Sequence, residues 1–275
     1  MSKITIKKIQ SWKDKKKFSA ITAYDFSTAQ IIDKANIPVV LVGDSASMVT
    51  FGYDTTVPIS MDEILLVTRA VTRGIRSALV VGDMPFLSYQ SSLSEAVKNA
   101  GRFLKEGRVS AVKLEGGKQV EKHIKTIVDF GIPVMGHVGL TPQSVNQFSG
   151  YSVQGRDLSS AQKILDDARI VEEAGAFSVV LECVPLELAE KITKTLSIPT
   201  IGIGSGGACD GQIQVFHDVM GLISNFNPRH AKKFINLHQS ILTALKEYQY
   251  EVKSQKFPNK SHSTKYKTKI IDKLN

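Results

Sequence analysis

The 275 residues include 42% hydrophobic side chains, and 35 Lys and Arg stand against 26 Asp and Glu for a net charge of +9. That hydrophobic share sustains a packed core and excludes a chain disordered throughout. The charge invites a nucleic-acid reading, but residues 1–17 hold seven Lys and one Asp, residues 256–275 six Lys and one Asp, and residues 18–255 carry net −2.

Both basic ends are therefore expected to be solvated rather than to grip nucleic acid. The opening MSKITIKKIQSWKDKKK has positive charge but no apolar segment of a secretory leader. No stretch reaches the roughly 18 continuous apolar residues of a membrane helix. Cys183 and Cys209 are the two cysteines, without a zinc-type spacing, and fit free thiols in a reducing compartment. The expectation is a soluble, cytoplasmic protein acting on small molecules, with no membrane partner.

In chain order, apolar β-branched runs predict strands near 18–24, 38–43, 77–82, 111–115, 133–138, 177–182, 199–203 and 214–219. Helical patterns lie between them at 26–35, 61–73, 93–106, 118–130, 160–174 and 186–196. This alternation implies parallel strands with helical crossovers, and eight units in about 200 residues favour a (β/α)8 barrel. Two connections, 44–60 and 139–159, exceed simple turns and fall where substrate-closing loops usually lie. Residues 229–250 predict one or two helices packed on the outside. The expected organisation is a single barrel domain over 1–255 with N- and C-terminal helical additions, followed by a basic, flexible tail over 256–275.

Carboxylates close three strands: Asp44 in VVLVGDS, Asp83 in LVVGDMP and Glu115 in VKLEGG. Each singly could cap a helix or join a structural ion pair; three on nearby strands could converge on one hard cation, Mg2+ being the one that uses few carboxylates. Lys113 and Glu115 share a strand face, because residues i and i+2 do. Glu182 ends FSVVLECVP, where an apolar approach raises a carboxyl's pKa and suits a general base, the other reading being a partner for a barrel Arg or Lys. His137 in PVMGHVGLTPQS fits either a satisfied core residue or a substrate contact. IGIGSGGACDG suits either a phosphate cradle or tight backbone packing. Met48, Phe51 and Tyr53 suit either an apolar wall in the first long loop or ordinary loop packing.

These blocks carry a family resemblance. ITAYD (21–25), LVGDS (41–45), GYDTTVPIS (52–60), GDMPF (82–86), VKLEGG (112–117), GHVGLTPQS (136–144), GYSVQGR (150–156), LECVP (181–185), IGIGSG (201–206), DGQ (210–212) and HD (217–218) follow one another in an order that resembles the ketopantoate hydroxymethyltransferases. The resemblance implies a barrel of the phosphoenolpyruvate/pyruvate superfamily. It implies Mg2+ held by Asp44 and Asp83 with Glu115 completing the site, and Ser45, Asp83 and Lys113 on a 2-oxoacid. Glu182 would be the proton acceptor, with His137 beside the newly formed hydroxyl. The second substrate would be 5,10-methylenetetrahydrofolate, and the assembly a homodecamer. Ser47 and Ser149 stand where relatives generally or often have Gly. A different Mg2+-dependent enolising lyase or mutase of the superfamily is the rival reading.

Overall fold

Short apolar strands buried on both faces decide this architecture, because each strand offers one face to its neighbours across the barrel and the other to helices. The computed structural model describes residues 3–148, 150, 152–224 and 228–265. In chain order the elements are α1 (Ile6–Gln10), β1 (Phe18–Thr22), α2 (Phe26–Lys34), β2 (Val39–Val42), α3 (Ala46–Val49), α4 (Met61–Gly74), β3 (Leu79–Asp83), α5 (Leu93–Lys105), β4 (Ala111–Lys113), α6 (Glu121–Asp129), β5 (Val134–Gly139), α7 (Val145–Phe148), α8 (Leu158–Glu173), β6 (Ser178–Glu182), α9 (Leu186–Thr195), β7 (Thr200–Ile203), β8 (Gly211–Gln214), α10 (Phe216–Val219) and α11 (Leu237–Lys253). Short 3₁₀ turns at Lys118–Val120 and Pro142–Ser144 lie within two of the strand-to-helix connections. All eight strands are parallel and the sheet closes on itself, β8 returning to β1 with Ala20 opposite Ile213. The expected (β/α)8 barrel is the fold.

Val39, Leu41, Leu79, Val81, Ala111, Met135, Val180 and Ile201 form the inner cluster. Their strand neighbours Val40, Val42, Val80, Val112, Val134 and Val179 pack outward with Ile64, Phe103, Ile124 and Ile192 of the helices. Gly82 is one such outward position: a Cβ there would come within 2.3 Å of the Phe103 ring, so its absence lets α5 seat against β3. Helices begin where the sequence supplies caps. Asp25 accepts from Thr28 N–H, and Ser60 with Glu63 and Asp157 with Ser160 form reciprocal capping boxes for α4 and α8. Gly131 and Gly175 follow α6 and α8 in the left-handed region that ends a helix cheaply.

Three expectations need correction. The last strand is Gly211–Gln214, not 214–219; Val215 to Met220 instead forms and caps the short helix α10. Register explains it, since Gly211 lies opposite both Phe18 and Ile201, and a Cβ on it would collide with the Phe18 ring at 2.6 Å. The basic N-terminal segment is not simply solvated. Ile9 and Trp12, one helical turn apart, are buried in the inner cluster with Phe18, while Lys13 donates to Thr193 O at 2.7 Å and pairs with Asp210 at 3.2 Å. The C-terminal helix is present as α11, but none of its residues is buried. Hydrogen bonds from Leu237 and His238 to Met220 and Gly221 tie down only its first turn. The last part of the expected tail, residues 266–275, lies outside the described residues.

Candidate active site

The inward columns that fill the barrel each continue by one more inward step to a polar side chain. Val81 is followed by Asp83, Ala111 by Lys113, Met135 by His137 and Val180 by Glu182. Strand register keeps these ends together: Asp83 lies opposite Lys113, and Gly139 opposite Glu182. The result is a polar layer on top of the apolar barrel core, at the carboxyl ends of the strands where barrels of this type keep their reactive groups.

Lys113 is the cation of this layer. Its Nζ stands 2.8 Å from Asp83 Oδ1 and 3.7 Å from Glu115 Oε1, and both carboxylates are almost wholly buried. Asp83 Oδ2 accepts the backbone N–H of Asp44 at 3.1 Å, which fixes the start of the first long loop against β3. Asp44, Asp83 and Glu115 therefore share one buried pocket with a single ammonium. Burial, followed by repulsion from Asp83 and Glu115, drives the Asp44 carboxyl well above its ordinary range. Burial likewise raises Glu115, partly offset by Lys113. The nearby carboxylates hold Lys113 protonated despite its burial.

His137 sits between the two halves of the site. Its Nδ1 faces Lys113 Nζ at 3.3 Å, and its Nε2 faces Glu182 Oε2 at 3.3 Å without a hydrogen bond that satisfies it. Burial, reinforced by Lys113, lowers the imidazole well below its ordinary pKa, so the ring is neutral. A neutral ring facing an ammonium through Nδ1 carries its proton on Nε2. Glu182 is the most open acid of the group, with 16% of its side chain exposed, and burial pushes its carboxyl up to about 7 against the pull of Lys113 and His230.

Ser45 follows Asp44 directly, and its Oγ lies 2.8 Å from the Tyr24 hydroxyl. Burial raises the Tyr24 phenol above its ordinary value, so it stays protonated and can orient the serine. Sequence reasoning gave Tyr24 no role, although it lies within the ITAYD block. It also missed Gln143, a neutral residue of GHVGLTPQS, whose backbone N–H donates to Glu115 Oε2 at 3.0 Å and whose Nε2 donates to Asp44 Oδ2 at 2.9 Å.

The glycine-rich segment after β7 is explained by packing. A Cβ on Gly206 would meet Leu186 at 2.8 Å, and Ser205 Oγ donates to Leu181 O. Phe51 and Tyr53 of the first long loop are exposed. Ser47 is fully buried and its hydroxyl donates to Thr55 O at 2.7 Å, bracing that loop; Ser149 lies outside the described residues. Cys183 and Cys209 are free thiols, and burial raises Cys183 to about 11, which keeps it unreactive at neutral pH.

The fit to a hard dication follows from this donor set. Three buried carboxyl groups face one ammonium, an all-oxygen donor set in which ionising all three would leave two negative charges for a dication to balance. Among the described residues, no three His, Cys, Asp or Glu side chains form a ready protein-only cage. Such a site suits Mg2+, which uses one or two carboxylates and takes its remaining ligands from water and substrate.

Comparison with known proteins agrees with this geometry. The family model described as ketopantoate hydroxymethyltransferase matches residues 3–260. The 3-methyl-2-oxobutanoate hydroxymethyltransferase of Clostridium novyi (strain NT) is 53% identical over 258 residues, 94% of each chain. That of Carboxydothermus hydrogenoformans is 50% identical over 275 residues, the full length of both. Among solved structures, phosphonopyruvate hydrolase in complex with oxalate and Mg2+ superposes with TM-score 0.61 at 12% identity, covering 99% of this chain and 94% of that one. A 2,3-dimethylmalate lyase of the PEP mutase/isocitrate lyase superfamily gives 0.59 at 16% identity, over 98% and 93%. The last two share the fold.

Proposed function

The chain belongs to the ketopantoate hydroxymethyltransferase family, and from that premise we propose that it transfers a hydroxymethyl group from 5,10-methylenetetrahydrofolate to 3-methyl-2-oxobutanoate, giving ketopantoate. The observation that carries the reading is the division of the site. Asp44, Asp83 and Glu115 gather around Lys113 on one side, and Glu182, raised to about 7, faces the neutral His137 on the other.

Asp44, Asp83 and Glu115 are the residues that would hold Mg2+. The chemistry available from a bound ion there is Lewis acidity toward a keto oxygen and its neighbouring carboxylate oxygen, easing the build-up of charge when a proton leaves the adjacent carbon. Lys113 offsets the oxoacid's carboxylate charge and holds it in register. Ser45, steadied by Tyr24, donates to the same end of the substrate. Glu182 removes the C3 proton, a role that its raised pKa suits near neutrality because the base is then both available and strong enough. The freed C3 electron pair attacks the methylene carried by the folate, forming the new carbon–carbon bond as one carbon–nitrogen bond opens. Water then breaks the second, its hydroxyl going to the methylene carbon and its proton to the nitrogen of the departing tetrahydrofolate. The protonated-Nε2 edge of His137 would meet the new hydroxyl.

No helix among the described residues is long and apolar enough to cross a membrane, and a cytoplasmic setting fits the two free thiols. The apolar side chains that α11 leaves exposed, Ile241, Leu245 and Tyr248 among them, fit a homo-oligomer, a decamer by resemblance. Incubation with 3-methyl-2-oxobutanoate, Mg2+ and the folate donor should yield ketopantoate. Turnover of other 2-oxoacids without folate, and none of this pair, would favour the lyase or mutase alternative.

A further inference from the structure

We infer that Gln143 is the positioning residue that presents the two outer carboxylates of the site to the metal. The inference rests on the Mg2+ reading above and goes beyond it by assigning a function to a neutral side chain from another loop. Gln143 lies in the 3₁₀ turn Pro142–Ser144, in the connection that follows β5, and is 4% exposed. Its backbone N–H donates to Glu115 Oε2 at 3.0 Å, and its Nε2 donates both to Asp44 Oδ2 and to Met84 O at 2.9 Å. Its Oε1 accepts from the Tyr89 hydroxyl at 2.9 Å and from Gln90 Nε2 at 3.4 Å.

This arrangement has three consequences. Because Met84 O can only accept, while the Tyr89 hydroxyl can donate to Oε1, the amide does not flip, and Nε2 points at Asp44. Tyr89 is itself anchored, since its hydroxyl also meets the backbone of Glu115 at 3.1 Å. The glutamine takes one oxygen from each carboxylate, Asp44 Oδ2 and Glu115 Oε2, and leaves Oδ1 and Oε1 outside its grip. Two acids that would repel each other are thereby held as an oriented pair. Partners of this kind behind the ligands commonly set metal affinity. The same residue couples the loop after β5 to the ends of β2 and β4, so the site is complete only when that loop is in place.

The test is Mn2+ binding to the metal-free full-length protein, read by the electron paramagnetic resonance of free Mn2+, for wild type and Gln143→Leu. Gln143→Leu keeps the backbone N–H and removes the amide. Its dissociation constant for Mn2+ should rise by roughly 10–100-fold in protein that keeps the wild-type circular dichroism. Raising the Mg2+ concentration should restore much of its lost kcat/KM, which a general packing defect would not allow. Should Gln143→Leu fail to fold, Tyr89→Phe serves in its place; losing the hydroxyl that anchors Gln143 Oε1 and the Glu115 backbone should weaken Mn2+ binding about 2–10-fold. Unchanged Mn2+ affinity in the folded variant overturns the inference alone. Failure of the wild-type protein to bind Mn2+ overturns the metal reading and this inference with it.

Discussion

Glu182 Oε2 lies 3.3 Å from His137 Nε2 across the paired strands β5 and β6, an acid beside a neutral imidazole rather than beside a cation. Burial, opposed by the pull of Lys113 and His230, leaves the Glu182 carboxyl at about 7 instead of its ordinary 4.5. A base works only when deprotonated, so kcat/KM should rise about tenfold per pH unit below 7 and level off above it. A titration of kcat/KM from pH 5 to 9 checks this. A profile already flat at pH 5 to 6 would mean that the base titrates elsewhere.

Asp83 carries a different burden, because its two oxygens touch Lys113 and the Asp44 backbone. Asp83→Ala removes a direct metal candidate and leaves Lys113 buried without its nearest counter-charge. Calorimetric Mg2+ titration should show a loss beyond the ~10–100-fold typical of residues behind the ligands. An unchanged titration would remove Asp83 from the metal site. The variant should also be less stable by about 3–5 kcal/mol, the usual cost of breaking a buried pair.

The crowded acids make the metal-free protein sensitive to pH in a definite direction. Asp44, Glu115 and Glu182 are all raised in the fold by burial, so the folded state binds protons more tightly than the unfolded chain. Their contribution is unpenalised below the ordinary carboxyl values and turns unfavourable as pH rises through the folded values, for Glu182 from 4.5 to about 7. Thermal melting of metal-free protein should therefore lose ground across that window, and saturating Mg2+ should recover it. Equal melting with and without Mg2+ at pH 8 would argue that Asp44 and Glu115 do not share an ion.

Much of this was readable from the residues alone. The runs VVLV, LVVGD and SVVLE are buried over almost every position, which marks barrel strands without ambiguity. A charged residue at the end of such a run can only stand at the rim, which is how Asp83, Lys113 and Glu182 stood out. The eighth strand escaped because GQIQ carries two half-buried glutamines, whereas the more apolar VFHDV beyond it has the composition of a strand and the structure of a helix. Gln143 escaped because an amide has no charge signature and its partner Asp44 is 99 residues away. The exposed face of α11 followed an ordinary amphipathic pattern; composition says that such a face needs covering, not what covers it.

The basic tail should be dispensable for chemistry. The polar layer is built from residues between Asp44 and Glu182, and α11 buries nothing against the barrel. A chain ending at Gln255 should keep kcat/KM within about twofold, and neither form should show the steep salt-dependent nucleic-acid binding of a polybasic arm. Loss of activity on truncation, at unchanged secondary structure, would give the tail a part in the site.

Deuterium exchange at C3 of 3-methyl-2-oxobutanoate, followed by proton NMR with Mg2+ present and the folate donor withheld, reaches the central claim most directly. The wild-type protein should wash deuterium into C3, whereas Glu182→Gln should bind oxoacid and metal normally yet exchange at least ~100-fold more slowly. Exchange at the wild-type rate in Glu182→Gln would contradict the account, because the proton would then leave by a route that does not involve the acid at the end of β6.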